Sequence, residues 1–119
     1  MVEVVSYKTA TDVVFEEAKG RYSRDDATLA INAAPVECGT VVEINGSGNL
    51  IPLATAANAA GIILESVPVS TEPTRVVVLS RRAQVKQQAL VWPAGYSEAN
   101  KTAALAALAK LGIVARNGV

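Results

Sequence analysis

Trp92-Pro93 constrains this chain more than any other feature, within the stretch ALVWPAGYSEANKTAALAALAKLGIV (residues 89–114). Proline has no backbone N–H, and it pushes the preceding residue out of the helical region. A β run through Ala89, Leu90 and Val91 must therefore stop at the corner. Gly95 relieves the turn, and Ser97 is a good N-cap with Glu98 at the positive end of the helix dipole. Residues 98–111 are expected to be helical. At about 100° per residue, Leu105, Leu108 and Leu111 share an arc of about 120°. Gly112 stands where a left-handed C-terminal cap belongs, and Ile113-Val114 resume β character. So short a helix needs its leucine stripe packed on the rest of the chain.

The 119 residues suit one domain. The expected division is an N-terminal arm over residues 1–26 and a compact β-rich body over 27–119. In the arm Val4, Val5, Tyr7, Val13, Val14 and Phe15 are β-capable, but Lys, Thr and Asp separate them. The charged EEAKGRYSRDD that follows has little to bury. Such a terminus is often mobile until something pairs with it. An ordinary edge strand plus loop is the other reading.

In the body, GTVVEI (39–44) reads as a strand, NGSGN (45–49) as a tight turn and LIPL (50–53) as the returning strand. Pro52 limits that return to an edge or a short strand. ATAANAA (54–60) is expected to connect, GIILESV (61–67) to form a buried strand, PVSTEPT (68–74) a loop and RVVVLS (75–80) another strand. Ala83, Val85 and residues 89–91 suit further strand pieces. The fold class is therefore mixed, mainly β with a C-terminal α-helix.

Half of the residues are hydrophobic, but many are alanine and valine, and the aromatics are one Trp, three Tyr and one Phe. Small side chains bury little area each, so the core is expected to be thin and self-association a further source of stability. Trp92 is expected to cap that core, with a recognition anchor as the other role for so large a ring.

Eleven basic and eleven acidic residues cancel, which argues against a phosphate-neutralising nucleic-acid binder. Arg81, Arg82 and Lys86 form the one basic cluster, either a solvated strand face or a site for an acidic partner. No apolar run reaches membrane-span length, and Glu3 interrupts any signal-like segment. The chain is read as soluble and neither secreted nor anchored.

With no histidine and one cysteine, the chain lacks the commonest general base and the usual zinc ligands. Glu16-Glu17 and Asp25-Asp26 read as solvated surface, and GSGN leads into a strand rather than the helix a phosphate cradle needs. Cys38 reads as a small buried residue. The expectation is no catalytic residue, no metal, no cofactor and no small-molecule substrate.

AAGIILESV, a β run, and then ALVWPAGYSEANKTAALAALAKLGIV resemble the head decoration protein D family of lambdoid bacteriophages. Upstream, EEAKGRYSRDDATLAINAA and CGTVVEINGSGNLIPL resemble that family's approach to its first hairpin. The match runs in order from residue 16 to 116, whereas residues 1–15 take their place by position alone. The resemblance implies a β-clip-like fold, a homotrimer, and a site on the virion's outer capsid surface at three-fold positions of the expanded head. There the trimer would cement the major capsid protein against the pressure of packaged DNA, after synthesis in the host bacterial cytoplasm. It further implies an arm that orders by pairing with a capsid strand, which makes Val4, Val5, Tyr7, Val13, Val14 and Phe15 the candidate capsid-binding residues. Trp92 and Pro93 would be the structural corner. A small oligomeric enzyme of the β-clip type and a strand-edge peptide-binding module are the alternatives.

Overall fold

The computed structural model describes residues 13–17, 23–32 and 34–116, with the backbone alone at Phe15. Eight strands, in order β1 (Val14–Glu17), β2 (Arg24–Leu29), β3 (Val41–Ile44), β4 (Leu50–Pro52), β5 (Gly61–Ile63), β6 (Thr74–Leu79), β7 (Ala83–Lys86) and β8 (Ile113–Arg116), accompany the helix α1 (Glu98–Lys110). The described residues are thus mainly β with a C-terminal helix, as expected.

The hairpin at residues 39–53 folds for local reasons. The Asn45 side-chain oxygen accepts the N–H groups of Ser47 at 2.9 Å and Asn49 at 3.0 Å, and the Asn45 N–H donates to the Asn49 carbonyl at 2.8 Å. That turn aligns β3 antiparallel to β4, with Ile44 opposite Leu50 and Val42 opposite Pro52. Pro52 ends a strand of three residues, and the next bond runs from the Leu53 N–H to the Val41 carbonyl at 3.0 Å, so the missing proline N–H falls between bonded positions.

Five strands close into a barrel in the order β2-β4-β3-β5-β6, with β6 returning to pair along the whole of β2. The remaining three form an open sheet, β1-β7-β8, in which β7 runs antiparallel to β1 and parallel to β8. A bulge between Val14 and Glu16 offsets β1 on β7.

Two apolar clusters result, and the strands between them belong to both. Val42, Ile63 and Val78 lie in one cluster with Leu29, Leu50 and Val76. Their chain neighbours Val41, Ile62 and Leu79 lie in the other, with Val85, Leu108 and Ile113. Successive strand residues point to opposite faces, so a strand covered on both sides needs a continuous apolar run. VV, II and VL at these positions supply it.

α1 begins where the residues dictate. The Ser97 hydroxyl accepts the Asn100 N–H at 3.1 Å, Glu98 occupies the first turn and Lys110 the last. The helix then stops at Gly112, whose φ of +84° is the left-handed cap. The face turned inward differs from the leucine stripe. Ala104 and Leu108 are buried, Leu105 and Ala107 are partly buried against the same cluster, and Leu111 is largely outside it. Ala104, with no exposed surface, is enclosed in that cluster together with Leu108.

The expected boundary at residue 26 does not match the strand pattern. Residues 13–17 and 23–26, assigned to the arm, include β1 and the first half of β2, and Val13 is fully buried. Three of the acids that read as solvated surface carry arginine partners. Arg81 holds Asp25 at 3.2 Å, Arg75 reaches Asp26 at 3.5 Å, and Arg24 chelates Glu17 at 2.6–3.1 Å. Ser23, fully buried, donates its hydroxyl to the Arg82 carbonyl at 2.8 Å. Residues 61–67 are strand only as far as Ile63; beyond it the Glu65 carboxylate, accepting the Val77 N–H at 3.0 Å, replaces a backbone partner. Of residues 89–91, expected as a strand piece, Ala89 closes a 3-10 turn (Gln87–Ala89) and Val91 makes a single β-bridge to Thr40.

Candidate functional site

The residues singled out in the sequence fall into three groups. Val4, Val5 and Tyr7 lie outside the described residues. Val13 is buried in the cluster beneath α1, and Val14 packs partly buried against it, opposite Val85 of β7. Phe15 takes its place in β1, an edge strand of the open sheet. A side chain as enclosed as Val13 anchors β1 to the body and offers no surface to a partner.

Trp92 and Pro93 form the third group. The Val91 N–H donates to the Gly39 carbonyl at 2.9 Å, tying the segment before the corner to the start of β3. The Tyr96 N–H then reaches back to the Pro93 carbonyl at 3.1 Å, closing the turn into α1. The Trp92 indole is half-buried at the rim of the core and stacks on the Tyr96 ring, centroids 5.9 Å apart and planes 10° from parallel.

Two carboxylates depart from ordinary behaviour, each for a structural reason. Glu43 is buried on β3. Its Oε1 accepts the N–H groups of Ala54 at 2.6 Å and Thr55 at 2.9 Å, which holds its carboxyl below the usual range against the opposing effect of burial. Asp25 is likewise held low, chiefly by its hydrogen bond to Arg81. Both groups fix loops and strands to one another. Among the described residues no set of three or more His, Cys, Asp or Glu could hold a metal ion, and no helix is long and apolar enough to cross a membrane. Cys38 is fully buried, as expected.

The surface is where this chain carries distinctive features. The barrel has no open edge, so among the described strands the outer edges belong to β1 and β8. Among the described residues five large apolar side chains are exposed: Ile31 (65%), Ile44 (58%), Val69 (53%), Val114 (48%) and Leu111 (37%). Ile31 and Val69 sit on one two-stranded ribbon, where the Asn32 and Ser70 backbones exchange hydrogen bonds at 3.2 Å. Asn32 points inward and is buried, so both its chain neighbour Ile31 and Val69 face out. Leu111 and Val114 line a groove of about 630 Å³ between the end of α1 and the open sheet, with Arg82, Lys110, Glu16 and Glu17 around it. The sequence signal for Val114 was present in the alternation of β8, Ile113 in and Val114 out. Nothing local marked Ile31, because its partner strand is distant in the chain.

Among the described residues, a closed barrel is backed by a small sheet and a helix, carboxylates tie loops and strands together, and large apolar side chains face outward. No individual curated protein matches the chain. The family described as Bacteriophage lambda head decoration protein D matches residues 4–113, and the chain belongs to that family. It is a phage head decoration protein, a component of the virion that binds the capsid.

Proposed function

We propose that three copies of this chain, each with a β-clip-like fold, form a knob at the three-fold sites of the expanded phage head and brace it against internal DNA pressure. The family match over residues 4–113 carries this reading, since it reaches into the segment ahead of β1 as well as the body. Residues ahead of Val13 add a strand to the major capsid protein. Backbone hydrogen bonds supply the affinity, and alternate side chains such as Val4 and Val5 supply the register. Val14 and Phe15 lie where the arm meets the body, and Val13 is the plug that fixes the arm's root. Three arms on one knob act at high mutual effective concentration, so each can be weak.

The closed barrel supports a mechanical role, because a ring of hydrogen-bonded strands resists shear without an edge from which to unzip. The test is a binding titration on expanded and unexpanded heads, with occupancy and rupture threshold measured together. Saturation at three chains per three-fold site, with a raised rupture threshold, is the expected result. Saturation at one chain per site, or heads no stronger after decoration, overturns the reading.

A further inference from the structure

A ring of identical subunits needs two different patches per subunit, because a head-to-tail contact places unlike surfaces together. Among the described residues, four of the five exposed large apolar side chains fall in two patches with rims of opposite charge; the fifth, Ile44, is on β3. On the ribbon, Ile31 and Val69 face out, and the exposed acids Glu37 and Glu72 follow them in the same two segments, six and three residues on. Arg75, the base closest to Glu72 in sequence, is engaged with Asp26. At the groove, Leu111 and Val114 supply the apolar floor, and Arg82 and Lys110 stand exposed beside them. Of the two acids there, Glu17 is taken up by Arg24, which leaves Glu16 as the one opposing charge.

We infer that the ribbon bearing Ile31 and Val69 docks into the Leu111–Val114 groove of a second copy of this chain, with Glu37 and Glu72 meeting Arg82 and Lys110. The groove, about 630 Å³, has room for both ribbon side chains. Removing four branched apolar side chains from water supplies the attraction, and the opposed charges set the orientation and disfavour ribbon-to-ribbon pairing. The inference rests on the self-association proposed above and assigns it a surface.

Two variants test it, both at exposed positions so that the fold is retained; a thermal melt verifies this. The first carries Ile31→Asp with Val69→Asp, the second Leu111→Asp with Val114→Asp. In sedimentation velocity each alone should associate at least about tenfold more weakly than the unaltered chain. Mixed, they should form a one-to-one pair, because the first retains an intact groove and the second an intact ribbon. Glu72→Lys should weaken assembly, and adding Lys110→Glu in the same chain should restore it. If the unaltered chain assembles and both variants assemble equally well, or the mixture forms no pair, this interface is wrong while self-association stands. If the unaltered chain is monomeric at every concentration, the self-association reading itself fails, and this assignment with it.

Discussion

The backbone of Arg82 is pressed against Gly112: a Cβ at Gly112 would stand 3.2 Å from the Arg82 nitrogen and 3.3 Å from its Cα. Two hydrogen bonds hold the crossing, from the Arg82 N–H to the Leu111 carbonyl at 3.2 Å and from the Ala83 N–H to the Gly112 carbonyl at 3.1 Å. Here the end of α1, the start of β7 and the root of β8 meet. Arg82 has a φ of 44°, a left-handed conformation that costs a residue with a Cβ roughly 1–2 kcal/mol. Gly112→Ala adds strain at φ +84° to a contact with unyielding backbone, and should cost about 1–2 kcal/mol or more in denaturant titration. Arg82→Gly should move the other way, by up to about 1 kcal/mol, since it relieves strain but loosens the unfolded chain.

Glu43 makes folding pH-dependent. Its folded carboxyl titrates below the unfolded value of about 4.3, so its contribution is complete above that pH and is lost as pH falls through the folded value. Asp25 acts in the same direction. Stability should hold from neutrality to about pH 5 and fall below about pH 4. Glu43→Ala leaves the Ala54 and Thr55 N–H groups without their acceptor and should cost about 2–3 kcal/mol at neutral pH, with a shallower acid limb in the melting profile.

Trp92 and Leu108 should separate in a truncation experiment. Leu108 is enclosed beneath α1, so Leu108→Ala should cost about 2–5 kcal/mol. Trp92 is half-buried, and its loss removes partial burial and the stack on Tyr96, for about 2 kcal/mol. Urea midpoints of the two variants give the comparison, and a Trp92→Ala cost equal to that of Leu108→Ala would place the indole in the core.

Truncation of the arm has a defined stopping point. Because Val13 is a core residue, deleting residues 1–12 should leave a folded chain with an unchanged melting temperature that no longer decorates expanded heads. Deletion through residue 15 also removes the plug and part of β1, and should lower the melting temperature as well. Co-sedimentation with heads, run beside a thermal melt, distinguishes the two.

What was legible in the sequence was local. The residue 39–53 hairpin is written in Asn45 and its glycines, and α1 in Ser97, Glu98 and Gly112, all within a few residues of the structure they direct. β2 was hidden because what makes it a strand lies some fifty positions away: Asp25 and Asp26 look solvated until Arg75 on β6 and Arg81 just beyond its end come alongside. Val13 read as part of the arm because Val13-Val14-Phe15 is an apolar run too short to carry a period. The arc containing Leu105, Leu108 and Leu111 was drawn from spacing alone. The helix instead turns Ala104 and Leu108 into the core and leaves Leu111 exposed, a rotation fixed by what packs beneath it and not by leucine spacing. Of the surface patches, Val114 was visible in strand alternation, while the ribbon at Ile31 required a tertiary pairing with Ser70's strand.

Val41 and Val42, Ile62 and Ile63, Val78 and Leu79 each send one side chain into either cluster from a shared stretch of backbone. Neither half can melt while the other persists, because loosening these peptides dissolves both at once. A calorimeter should record one endotherm whose van't Hoff and calorimetric enthalpies agree. Such a molecule has no half-open form in which to linger, and under load it holds whole or lets go entirely.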